Sequence, residues 1–179
     1  MLRINMVPQT RDTSLNSLGE RRLVTPASLA DGTSWTAFAD EKHLQVVRDA
    51  IDLLASRVLT KHQSSCDAFF KQMPGRRSLS DIVNGSRKYW IHHDPTGPDA
   101  GATAGMDVTL GTKALRGGKW AVLATLIHEL AHTNGATDEK GDAEDALNHC
   151  GMSDHHLNAN NRKPAGKPAA RKSVAQTRR

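Results

Sequence analysis

The sequence predicts an α+β fold, with several helices packed around a small sheet whose strands lie close together in the chain. Two kinds of periodicity carry that expectation. Apolar residues recur at three- and four-residue steps in two long segments, from about Ala37 to Val58 and from about Lys119 to Asn134. Two short segments, Arg87–His92 and Met106–Leu110, read instead as strands; in the second, Met106, Val108 and Leu110 alternate with Asp107 and Thr109. No internal repeat is visible.

Taken in order, residues 1–34 have little periodicity and many Ser, Thr, Gly and Pro residues, so they read as an irregular N-terminal arm. A central domain is expected over 35–161. Its first helix places Leu44, Val47, Ile51, Leu54 and Val58 on one face, with Asp40, Glu41, Lys42, Arg48, Asp49 and Asp52 on the others. A second helix is expected from about Ser65 to Met73, stopped by Pro74. Ser78 and Asp81 have the spacing of a capping box, but with Asp where Glu or Gln is usual. Asn84-Gly85 marks a turn, and the strand Arg87–His92 follows. His93 to Gly105, dense in Asp, Pro, Gly and Thr, reads as a loop before the strand Met106–Leu110. The helix Lys119–Asn134 has a broad apolar surface from Val122, Leu126, Ile127 and Leu130, and Gly135 ends it. A last helix runs from Asp142 or Ala143 to about Cys150, with Gly151 placed to close it.

Composition narrows the function classes. The 179 residues are 37% hydrophobic and 24% charged, the arithmetic of one globular domain with loose ends. No apolar run approaches the ~18 residues of a membrane-spanning helix. Arg3 is followed by no continuous apolar stretch, so a standard cleavable secretion signal is not expected, which leaves a cytoplasmic protein or one exported by a signal-independent route. The formal charge of +5 belongs to one end of the chain. The segment 162–179 holds seven basic residues and no acidic one, and the remainder carries 17 basic against 19 acidic residues. That segment reads as a disordered basic tail rather than a nucleic-acid contact, because Pro164, Gly166, Pro168 and the alanines disfavour a packed structure. Cys66 and Cys150 do not have metal-pair spacing, and base rate for a cytosolic chain favours two free thiols over a disulfide.

The chemistry concentrates in Thr125-Leu-Ile-His128-Glu129-Leu-Ala-His132. In a helix, His128 and His132 fall one turn apart on one face, so both imidazoles can grip one ion. Zinc suits two imidazoles plus one oxygen and leaves a position for water. Glu129 is then the general base and acid, not a ligand. The bend after Gly135 supplies carboxylates at Asp138, Glu139, Asp142, Glu144 and Asp145, any of which is a source of the third ligand; Asp142 is also placed to N-cap the last helix.

The pattern His128-Glu129-x-x-His132-x-x-Gly135-x-x-Asp138 resembles the extended signature of the metzincin metallopeptidases, in the variant with Asp as last ligand found in snapalysins. The same stretch also resembles the aspzincins, the deuterolysin-like peptidases, although Ala136 intervenes in their Gly-Thr-x-Asp pattern and no Tyr precedes Gly141. Both resemblances imply a zincin-like fold, a zinc endopeptidase and Asp138 as the third ligand, ahead of Asp142 and Glu144 or Asp145. Similar compact domains occur among bacterial secreted toxins and effectors. That context implies a protein or peptide substrate and, for a toxin, an inhibitor or immunity protein as partner. By the same resemblance, Met106–Leu110 is the edge strand lining the cleft, with Asp107, Gly101 and Gly105 shaping its rim. Met152 lies where a methionine turn could fall, but reads more simply as a core residue.

Peptide hydrolysis also calls for a donor to a developing oxyanion. Tyr89, the only tyrosine, is the candidate, with His92, His93, His155 and His156 as others. Two competing functions remain open on sequence. One is a zinc hydrolase acting on a non-protein amide such as peptidoglycan. The other is a zinc-stabilised binding module with a tail that contacts nucleic acid, against which the presence of Glu129 argues.

Overall fold

The computed structural model describes residues 1–6, 35–97 and 99–152. The architecture is α+β. Three strands run parallel and one antiparallel in a four-stranded mixed sheet of order β1-β2-β4-β3, and the helices pack around it.

Strand β1 (Leu2–Ile4) lies at one edge of the sheet, parallel to β2 (Tyr89–Asp94). The beginning of the segment expected to be an irregular arm is therefore part of the core, and Leu2, Ile4 and Met6 are all buried. A chain of polar contacts joins this edge to the interior. The Asn5 Nδ2 amide donates to His92 Nδ1 at 3.0 Å, and His92 Nε2 lies 2.8 Å from Asp107 Oδ1. Trp35 stacks on the same imidazole.

Helix α1 (Glu41–Leu53) starts later than its apolar period suggests, because Asp40 caps it by accepting from the Lys42 and His43 amides. It continues through a π-helical turn, Leu54–Val58, into a single turn, α2 (Leu59–Lys61), so that Leu54 and Val58 both stay in the core. Helix α3 (Gln63–Gln72) buries Cys66 and Phe70. Helix α4 (Leu79–Asn84) opens on a complete capping box. The Asp81 amide donates to Ser78 Oγ at 3.0 Å and the Ser78 amide to Asp81 Oδ2 at 3.2 Å, so the shorter acid serves as well as Glu.

The segment His93–Gly105, expected as a loop, contains strand β3 (Gly101–Ala104), which pairs antiparallel with β4 (Asp107–Gly111). Ala104 and Asp107 are partners, leaving a two-residue turn in which Gly105 has φ 63°. Such turns need a positive φ that glycine adopts without a steric penalty. Strand β4 is interior, between β2 and β3, and so the expected edge strand Met106–Leu110 is not at the edge. A short helix, α5 (Thr112–Arg116), leads into α6 (Gly118–Thr133), and α7 (Asp142–His149) follows a 3₁₀ turn at Asp138–Lys140. Helix α6 is the centre of the molecule, packed against α1, α5, α7, β3 and β4. Gly151, φ 72°, closes α7 as its spacing predicts.

The expectation of two free thiols is corrected. Cys66 on α3 and Cys150 at the end of α7 form a disulfide across 84 residues, with Cα atoms 4.7 Å apart. Packing of α3 against α7 brings them to a separation that a disulfide spans without moving backbone. Residues 162–179, the basic tail, and His155 and His156 lie outside the described residues.

Closing so long a loop restricts the unfolded chain strongly, an effect of about 4–5 kcal/mol in the loop-entropy model and commonly 2–4 in practice. Reduction of Cys66–Cys150 is therefore expected to lower the unfolding free energy by about 2–5 kcal/mol. Urea denaturation with and without dithiothreitol measures it, and Cys66→Ala/Cys150→Ala should match the reduced protein.

Candidate metal centre

Helix α6 places His128, Glu129 and His132 within one turn of a mostly apolar rod. Its residues from Ala121 to Ile127, together with Glu129, Leu130 and Ala131, are buried, whereas His128 and His132 are partly open. The helix stops because the chain is turned sharply at Gly135, whose φ is 93°. A Cβ there would lie 3.0–3.3 Å from the Pro74 ring, a second reason for glycine. Asn134 anchors this turn from inside the protein: it is fully buried, and its Nδ2 donates to the Phe70 carbonyl at 2.7 Å and the Arg77 carbonyl at 2.9 Å.

The turn has a direct chemical effect. It swings the Ala136 carbonyl to 3.0 Å from His132 Nδ1, which becomes the donor to that oxygen. With that proton on Nδ1, Nε2 is the nitrogen whose lone pair can face an ion. That atom lies 3.1 Å from His128 Nε2 and 3.3 Å from Asp138 Oδ1. Donors held about 2.0–2.2 Å from one tetrahedral ion stand roughly 3.3–3.6 Å from one another. The ligand atoms of His128, His132 and Asp138 all fall within 4.8 Å of each other, in a group that does not include Glu129. Two imidazoles and one carboxylate are a donor set suited to a divalent transition metal.

The rival carboxylates are separated by geometry. Glu144 Oε1 lies 3.7 Å from His128 Nδ1, the nitrogen on the far side of the ring from Nε2. It is placed to orient that imidazole rather than to share an ion with it. Asp142 is the first residue of α7 rather than its N-cap, a position taken by Gly141 in the left-handed conformation. Neither Asp142 nor Asp145 lines the cavity that opens over the histidines.

That cavity has a volume of about 680 Å³. Helix α6 supplies Thr125, His128, Glu129 and His132 to it, and strand β3 supplies Gly101 to Thr103. The sheet edge at the site is therefore β3, in place of the expected Met106–Leu110. Gly101 and Gly105 line the cavity as expected, but Asp107 does not, being engaged by His92. Asp99 and Lys113, both exposed, are also among the lining residues.

Glu129 is 5% exposed, and its carboxyl group is pushed up to about 7. Burial is the main cause, since it penalises the charged form. The Thr103 hydroxyl, which donates to Oε2 at 2.6 Å, and the nearby His132 oppose the shift, while the charges of Asp138 and Asp99 add to it.

The expected oxyanion donor is not brought here. Tyr89 is 1% exposed, and its hydroxyl accepts from Arg77 Nη1, while Arg77 Nη2 donates to the Thr133 carbonyl at 2.7 Å. Its hydroxyl helps tie strand β2 to the end of α6. His92 is buried between Asn5 and Asp107, and His93 stacks on Phe38. Met152 is buried in the core. Thr103 and the strand that carries it escaped the sequence reading, because that stretch was assigned to a loop. The signal that finds them is Gly105-Met106, a glycine-led two-residue link ahead of an alternating strand.

The placement of the carboxylates predicts unequal effects on divalent-metal affinity, measured by competition with a chelating dye. Glu144→Gln should weaken binding by about 10-fold, within the roughly 10–100-fold range of an orienting partner, and Asp138→Ala by more than about 100-fold. The reverse order would make Glu144 the ligand.

No protein-family model, curated protein or solved structure matches the chain, and the centre formed by His128, His132 and Asp138 is therefore read from its own geometry.

Proposed function

We propose that the protein is a zinc-dependent endopeptidase with a zincin-like fold. The observation that carries this reading is the convergence of His128 Nε2, His132 Nε2 and Asp138 Oδ1 beside a buried carboxyl group that is not one of the three. When bound there, zinc would supply Lewis acidity, lowering the pKa of water to about 7 and polarising a carbonyl group.

The chain's own residues do the rest. Glu129 takes the proton from the attacking water through a carboxylate oxygen. It returns that proton to the nitrogen as the C–N bond breaks, which lets the amine leave neutral. Its burial keeps bulk water from competing for the proton. His132 is held in the required tautomer by Ala136, and His128 is faced by Glu144 on its outer nitrogen. Strand β3 is an edge strand of the sheet among the described residues and borders the cavity, so an extended peptide can pair along it and bring a carbonyl over the histidines. That edge favours a protein or peptide substrate over a non-protein amide, because its N–H and C=O groups match an extended backbone. The disulfide fits a working compartment that is oxidising.

Glu129→Gln tests the reading. The variant should bind zinc one-to-one by elemental analysis and lose about 10²–10⁴-fold in the rate of hydrolysis of an unfolded protein such as casein. Wild-type protein that takes up no zinc, or a Glu129→Gln variant as active as wild type, would falsify it. A zinc site with a purely structural role would leave casein intact in both forms.

A further inference from the structure

Strand β3 does more at the site than form its wall. Side chains of alternate residues in a strand share a face, and here Gly101 and Thr103 both meet the Glu129 carboxyl group. Thr103 Oγ1 lies 2.6 Å from Glu129 Oε2 and 3.1 Å from the Glu129 carbonyl oxygen, so one hydroxyl grips both the side chain and the backbone of this residue. Gly101 meets the other oxygen. A Cβ at this position would stand 2.9 Å from Glu129 Oε1, 2.8 Å from the Thr109 carbonyl oxygen and 2.7 Å from Thr125 Cγ2. The backbone conformation of Gly101 is ordinary, with no positive φ, so what excludes a side chain is space.

We infer that Thr103 is a positioning residue for Glu129: its hydroxyl occupies Oε2, and the missing side chain of Gly101 leaves Oε1 as the oxygen that exchanges the proton. This inference rests on the function proposed above. In the forward step a water O–H bond breaks and Oε1–H forms. In the second, Oε1–H breaks and the proton passes to the departing nitrogen, restoring the carboxylate. Because Oε2 already accepts a hydrogen bond from the edge strand, the carboxylate cannot turn to offer either oxygen at random. The strand along which an extended substrate would pair is thus the element that aims the general base, which couples their positions through three consecutive residues, Gly101 to Thr103.

The test compares Thr103→Val, which keeps the shape and loses the donor, with Thr103→Ser, which keeps the donor. Thr103→Val is expected to lower kcat by about 10–100-fold, the usual cost of removing an orienting partner, with KM and zinc content unchanged. Thr103→Ser should stay within about threefold of wild type, and Gly101→Ala should fall with Thr103→Val. Crystal structures of the two Thr103 variants give a second readout, in which the Glu129 carboxyl group is rotated only in Thr103→Val. If Thr103→Val does not fold, Thr103→Ala takes its place, since it also lacks the donor. Unchanged kcat in the variant without the hydroxyl, or a carboxyl group in its wild-type place there, overturns the inference. Wild-type protein without hydrolytic activity instead overturns the proposed peptidase, and the position of the carboxyl group then decides the role of Thr103 by itself.

Discussion

The arrangement depends on how a buried helix accommodates polar groups. A carboxyl group and two imidazoles on α6 would be costly in an apolar setting unless each found partners. His132 donates to Ala136, Glu129 accepts from Thr103, and the His128 ring faces Glu144. Each partner comes from a different piece of chain: the turn after α6, the edge strand and α7. The need to satisfy one helix therefore dictates where three other segments must sit.

The turn at Gly135 is the tightest of these constraints. It must reverse the chain within a few residues so that both Ala136 and Asp138 reach His132. Asn134 makes this possible because its amide holds the Phe70 and Arg77 carbonyls and fixes the end of the helix against α3 and the segment after it. Arg77 reinforces the same point through the Thr133 carbonyl and Tyr89. The Cys66–Cys150 bond ties α3 to the far end of α7, so the segment carrying Asp138 and Glu144 is bounded by firm attachments on both sides.

Much of this was legible in the residues. The helical period of α6, the four-residue step from His128 to His132 and the glycine that ends the helix are local properties, and all three are found where the sequence places them. The capping box at Ser78 and the glycine closing α7 were readable for the same reason. What escaped were properties of the assembled fold. Strand β3 is made of Gly, Ala and Thr and has no large apolar side chain to mark an alternation, so its pairing with β4 is what reveals it. The disulfide depends on two helices meeting, which spacing along the chain does not encode. Tyr89 has the right chemistry for an oxyanion donor, but its partner is Arg77, and the burial that decides this is set by the whole sheet. Asp138 and Glu144 look alike on paper; only the two faces of an imidazole ring tell them apart.

The shortness of β3 has a consequence for how firmly anything could rest against it. In an antiparallel pairing only alternate residues of a strand turn their amide and carbonyl outward, and a four-residue strand therefore offers two such residues. A docked chain would gain at most a handful of backbone hydrogen bonds, each worth about 1 kcal/mol after exchange with water. Residence on such a ledge is brief unless side chains find purchase in the cavity beside it. Discrimination between one docked segment and another would then come from that cavity, and the same weak hold would let a bound segment leave quickly.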